Sequence, residues 1–164
     1  MTRIVCNASP IIALSSIGSF HVLGQLFDEV MVPTAVRDEI LNDTAAVGAE
    51  QLESALERGV VHSFPVQDQA LVEKLSGRLH RGELEVIIGA VEQGISTVIL
   101  DDRQARMLAK TFNLDCTGTL GVLLTAKAKH LIPEVKRYLD GLSDQGFRLN
   151  DRLYREVLEL EKEL

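Results

Sequence analysis

No apolar run in this chain approaches the roughly 18 to 20 residues that a membrane-spanning helix requires, which argues against a membrane role. The N-terminus carries a single Arg3 and then polar Asn7 and Ser9, so the pattern of a signal peptide is missing. Cysteine is scarce: Cys6 and Cys116 make neither a disulfide framework nor a CxxC metal motif. Both sit in apolar, strand-like contexts and read as buried free thiols in a reducing cytoplasm. His21, His62, His80 and His130 are scattered without ligand spacing. There is no GxSxG elbow, no Walker A loop and no GxGxxG after a strand. Thr117-Gly118-Thr119-Leu120-Gly121 is glycine-rich, but it lacks a lysine and is too short for a P-loop. Repeats, low-complexity tracts and linkers are lacking too, so residues 1–164 read as one domain.

Positive charge is in deficit. A formal net charge of −7 argues against a protein that coats nucleic acid non-specifically. The deficit is uneven. Arg103 to Arg137 holds seven Lys/Arg against two acids, whereas Asp38 to Glu57 holds six acids and no Lys or Arg. The first stretch is either a face that meets a phosphate backbone or a set of solvated helix faces.

What the chain does have is alternation. Short strands are expected at Arg3–Cys6, Glu29–Val32, Val60–Phe64, Thr97–Leu100 and Leu114–Thr117. Between them run helical patterns, the clearest over Glu83–Gln93, where Leu84, Ile87, Ile88 and Val91 recur at i, i+3, i+4, i+7. Ser9-Pro10 reads as a helix start, with Ser9 as N-cap. The helix after Pro33-Thr34 aligns Val36 and Ile40, with Glu39 on or beside the buried face. Helices follow at about 119–129, 133–144 and 151–163, the last with Leu153, Val157 and Leu160 on one stripe, best docked on its own domain. The class is therefore α/β, a parallel sheet of four or five strands flanked by helices, with a helical extension over about 133–164.

Open α/β sheets gather their sites beyond the carboxyl ends of the strands. Val98-Ile99-Leu100 runs straight into Asp101-Asp102 at such a position. Two acids there make either a corner of a cation site or a helix cap, with Asp102 as N-cap of a helix beginning at Arg103. A hard divalent cation such as Mg²⁺ or Mn²⁺ takes a few carboxylates plus water and substrate phosphate. Candidates at the same edge are Asn7 after the first strand, Glu39, and Glu83 at the head of the apolar helix, with Glu85 flanking it. Each has a plainer alternative: an Asx turn at Asn7, an exposed helical acid at Glu39, a helix-dipole partner at Glu83. The hydroxyls of Thr117 and Thr119 either line this edge or, for Thr119, cap the helix that follows. An aspartyl-nucleophile phosphatase is excluded because Asn7 stands where its nucleophile would be. A phosphoacceptor receiver domain lacks its acid pair after the first strand and its lysine after the last.

The run from Ile4 to Leu14, with Asn7-Ala8-Ser9-Pro10 at its centre, resembles the opening of a PIN domain, whose first strand normally ends in Asp. Gly82-Glu83-Leu84-Glu85-Val86-Ile87, then Val98 to Ala105, resemble the central block of short prokaryotic PIN-like proteins. Thr117 to Leu123 and the tail Gly146-Phe147-Arg148-Leu149 with Leu153-Tyr154 are similar to the same subgroup. The resemblance covers nearly the whole chain. It implies a three-layer α/β fold and a Mg²⁺- or Mn²⁺-dependent nuclease, most often acting on RNA, with single-stranded RNA the expected partner, and frequently the toxin of a toxin–antitoxin pair. It implies metal-site roles for Asn7, Glu39, Glu83, Asp101 and Asp102, catalytic roles for Glu39, Glu83 and Asp101, and support from Ser9, Glu85, Thr117 and Thr119, with Ser9 orienting the group at position 7. A homodimer and an antitoxin-like protein are the expected assemblies. The departure is Asn7, a neutral amide in place of the first carboxylate. A non-catalytic PIN-like module that binds nucleic acid or protein is the alternative.

Overall fold

In a computed structural model of the chain, which describes residues 2–42 and 46–164, five parallel strands form one sheet in the order β3-β2-β1-β4-β5. The strands are β1 (Arg3–Cys6), β2 (Glu29–Pro33), β3 (Val61–Phe64), β4 (Thr97–Ile99) and β5 (Asp115–Thr117). Ten helices are described: α1 (Ala8–Ser16), α2 (His21–Leu26), α3 (Thr34–Leu41), α4 (Ala49–Glu57), α5 (Gln69–Leu75), α6 (Arg81–Gln93), α7 (Arg103–Thr111), α8 (Thr119–Ala128), α9 (Lys136–Asp144) and α10 (Asp151–Leu160). None is long and apolar enough to cross a membrane among the described residues.

Successive side chains on a strand point to opposite faces, so a strand buried at every position must be covered on both sides. Ile4, Val5 and Cys6 are all fully buried, as are Val98, Ile99 and Leu100. The edge strands are less covered: in β3, Val61 and Phe64 are buried while His62 is exposed, and no residue of β5 is fully buried. The helices thus make two outer layers around the sheet. Helix α6 lies against β1, β2 and β4, with α3, α5 and α7 around it; α1 packs with α8 and α9.

Three elements differ from the sequence expectation. Helix α1 begins at Ala8, with Asn7 in the N-cap position, not Ser9. Helix α6 begins two residues early, at Arg81, which puts Gly82 and Glu83 in its first turn. It is buried nearly all round from Gly82 to Ala90, but Val91 is 49% exposed. Its far end meets the core through Gly89, where a Cβ would lie 2.7 Å from the Phe64 ring. On α10 the inward stripe is Tyr154, Val157 and Leu158; Leu153 and Leu160 face out. Val157 and Leu158 join the core cluster, so the inward stripe is rotated by one residue from the expected one.

The C-terminal helices are fastened by one carboxylate. Glu163 accepts from the backbone N–H groups of Val135 and Lys136 at 2.8–2.9 Å, capping α9 from 27 to 28 residues away, and pairs with Lys127 Nζ at 2.6 Å. Val135 itself supplies no side-chain cap. Burial works against the ionised Glu163 carboxyl, but the Lys127 ammonium and the two backbone donors outweigh it and hold its pKa below the ordinary value. A carboxyl depressed in the folded state stabilises above the unfolded pKa and stops doing so as pH falls through the folded one. Glu163→Gln is therefore expected to lose about 1–3 kcal/mol of unfolding free energy at pH 7. The gap to the unsubstituted protein should narrow as denaturant titrations are repeated below about pH 4.

Candidate active site

The chain steps from β1 to β2 to β3 on one side of the sheet, then returns to place β4 on the other side of β1. Strand order reverses between β1 and β4, which opens a crevice at their carboxyl ends. The Asn7 N–H donates to the Ile99 carbonyl at 3.1 Å, so the crevice starts immediately past the last paired residues. Cys6, at the bottom, stays a protonated thiol: burial first, and then the nearby Asp101 carboxylate, push its pKa far up.

Asn7 is 5% exposed and makes no side-chain cap to α1. A Cβ on Gly82 would lie 3.3 Å from Glu39 Oε2 and 3.6 Å from Asn7 Oδ1. The two oxygens therefore converge on the notch left by the missing side chain, one from the end of β1 and the other from α3. Val36 and Ile40 on α3 are buried, which anchors the helix while the Glu39 side chain stays exposed. Glu83 follows Gly82 and is half-buried. Its pKa is raised by burial first, then by the Asp102 and Glu39 carboxylates, with His80 opposing. Like charges raise a carboxyl pKa only when they are close. Glu83 therefore has Asp102 and Glu39 as acidic neighbours.

Asp101 is oriented differently. Its Oδ1 accepts from the Thr119 N–H and its Oδ2 from the Thr119 hydroxyl, both at 2.7 Å. Asp101 thereby caps α8, whose own N-cap residue, Gly118, has no side chain to do so. A Cβ on Gly118 would come within 2.8 Å of Asp101 Oδ1 and 3.5 Å of an Arg106 Nη, so the glycine makes room for the carboxylate. Thr119 is fully buried. Thr117 sits at the end of β5, against Gly121, where any side chain would collide with its hydroxyl. Asp102 caps α7, accepting from Ala105 N at 2.9 Å, and is exposed.

Glu85 stands apart from this group. Two residues along a helix are about 200° apart, so Glu83 and Glu85 face nearly opposite ways. Glu85 is 3% exposed; it accepts from Ala35 N at the start of α3 and from Gln69 Nε2, both at 3.2 Å, and lies 3.4 Å from Arg81 Nε. It braces α6 against α3 and α5. Ser9 is exposed in the first turn of α1, and among the described residues no hydrogen bond joins it to Asn7. Gly82, Gly118, Gln69, Arg81 and Arg106 were not among the residues expected from sequence. The available signal was Gly82 itself: a glycine just ahead of an apolar helix marks a close approach.

The donors around the crevice are hard oxygens, the kind a divalent cation such as Mg²⁺ takes. Among the described residues, however, no three His, Cys, Asp or Glu side chains stand close enough together to hold one ion. The set fits in kind, with the amide of Asn7 as its one neutral member. The repulsion that Asp102 and Glu39 exert on Glu83 is what a cation would relieve. A carboxyl raised in the folded state stabilises below the unfolded pKa and loses that contribution as pH rises through the folded value. Glu83→Gln is accordingly expected to melt higher than the unsubstituted protein at pH 7 in chelator-treated buffer. The advantage should vanish when melting is repeated below the carboxylate range.

A family model described as a PIN domain matches residues 3–163. No curated protein matches the chain. The match runs from the first strand through Glu163, and the parallel five-stranded sheet between two helical layers agrees with it. The chain belongs to the PIN domain family.

Proposed function

We propose that this chain is a Mg²⁺- or Mn²⁺-dependent endoribonuclease that cleaves single-stranded RNA, and that it serves in the cytoplasm as the toxin of a toxin–antitoxin pair. The family is a nuclease-like one whose members in general depend on divalent metal. The observation that supports the reading most is the convergence of Asn7 Oδ1 and Glu39 Oε2 over Gly82, beside a Glu83 whose proton affinity is raised by burial and then by Asp102 and Glu39. Glu39 and Glu83, with the Asn7 carbonyl oxygen, would hold the ion, and Asp102 would add negative charge beside them. Bound there, a divalent cation supplies Lewis acidity to a phosphoryl oxygen and acidifies a water. Asp101, fixed by Thr119, would keep the β4 end of the crevice negative. Arg106 stands beside it to meet a phosphate oxygen.

Asn7 contributes an oxygen but no charge, so affinity for the cation should be modest. Asn7→Asp is expected to tighten Mn²⁺ binding about tenfold and to raise RNA cleavage, while Asp101→Ala lowers both. Titration calorimetry with Mn²⁺ and a cleavage assay on single-stranded RNA read the two effects. No Mn²⁺ binding and no cleavage in either the unsubstituted protein or Asn7→Asp would overturn the proposal.

A second reading has one observation in its favour: both Asp101 oxygens are already engaged by Thr119, and Asn7 is neutral. In that reading the protein is a non-catalytic binding module, and the acidic cleft receives an arginine from a small basic antitoxin-like partner. Its mark would be co-purification with such a partner, in a complex of two copies of this chain, without nuclease activity.

A further inference from the structure

A cavity of about 630 Å³ opens beside the acidic cleft, over the carboxyl ends of β2 and β3, and shares Glu39 and Gly82 with it. Neither the cation nor the scissile phosphate of the reading above needs this space. Pro65 and Val66 form an apolar wall, and Gln69 and Arg81 converge on it from α5 and the first turn of α6. Both polar groups are held in place. Gln69 Nε2 donates to the Val66 carbonyl at 2.9 Å and to Glu85 Oε2 at 3.2 Å, while Gln69 Oε1 accepts from Arg81. Arg81 also faces Glu85 at 3.4 Å and, at its rim, Glu73 at 3.6 Å. One guanidinium nitrogen thus donates to Gln69, while Glu85 and Glu73 stand at ion-pair distance, and the half-exposed side chain keeps N–H donors for a ligand.

The size suits a group as large as a nucleotide. The charge narrows the choice. Asp38, Glu39 and Glu85 line the cavity against Arg81 as the one fixed positive charge, with His80 at the edge. A phosphate would be repelled from such a lining, whereas a neutral, flat heterocycle with acceptors on one edge would not. Arginine donors reading paired acceptors are a common device of base recognition.

We propose that this cavity is a nucleobase subsite. It would take the base of the nucleotide next to the bond placed at Glu39 and Glu83, laying its face on Pro65 and Val66 and turning its acceptor edge to Arg81. The placement rests on the nuclease reading; the binding of a base does not. Glu85 is the positioning residue of the subsite, because its buried carboxylate orients both Gln69 and Arg81.

The test is a nuclear magnetic resonance titration of the intact, metal-free protein with adenosine, guanosine, cytidine and uridine, alongside ribose 5-phosphate. At least one nucleoside is expected to shift the Gln69 side-chain amide and the backbone amides of Ala35 and Val66, with ribose 5-phosphate leaving them in place. Arg81→Leu should weaken that nucleoside about fivefold or more while the remaining amide spectrum is retained. Shifts elsewhere only, equal shifts with ribose 5-phosphate, or no response to any nucleoside would overturn the subsite. Because no cleavage is involved, nucleoside binding can persist in a protein that never cuts RNA. Conversely, cleavage without nucleoside binding would sink the subsite alone.

Discussion

Parallel pairing of β1 with β4 puts two strand ends side by side at a point where the chain has reversed its direction across the sheet. At that point the helices after the two strands leave toward opposite layers, and the backbone cannot close over the gap. Asn7 and Asp101 emerge at its two lips, joined through the Asn7 N–H to Ile99. Cys6 and Leu100 beneath are fully buried, so the floor is dry and the charges above it act in a medium less polar than water. Burial of each group itself is the first cause both of the raised pKa of Glu83 and of the raised pKa of the Cys6 thiol.

The first turn of α6 does three jobs with adjacent residues. Gly82 has no side chain, and the space admits the oxygens of Asn7 and Glu39. Glu83 faces the crevice and adds a third oxygen group. Glu85, on the opposite side of the helix, ties the turn to Ala35 and Gln69. Helix α3 carries Glu39, so this brace also sets how far Glu39 stands from Glu83. The acid that builds the site and the acid that holds it together are therefore about half a turn apart on one helix, told apart only by the direction in which each points.

Asp101 illustrates the tension in such a place. A carboxylate with two short hydrogen bonds from Thr119 is well oriented and stabilises α8, but its oxygens are partly spoken for. Glu83 is the reverse: burial, and then the neighbouring Asp102 and Glu39 carboxylates, make it costly to keep ionised. Local destabilisation of this kind is common where a site awaits a charged ligand.

Much was legible in the sequence. Apolar runs of strand length alternating with amphipathic runs determined a parallel α/β sheet, and the position of acids directly after strands determined which residues reach its carboxyl edge. Those are short-range properties: a strand end and a helix start are written within a few residues of each other. Direction was decided only by tertiary structure. Periodicity put Val91 and Leu160 on buried stripes, yet both are exposed, because the packing of α6 on Phe64 and of α10 through Val157 and Leu158 set the rotation of each helix. Ser9 reads as a cap, yet the helix begins at Ala8, which leaves the Asn7 side chain free of capping and available to the crevice. Glu83 and Glu85 look equivalent in the chain and face opposite ways in the fold. The partners of Asp101, Glu85 and Glu163 lie 18, 50 and 28 residues away, and no local pattern encodes a contact that forms only once the strand order is complete.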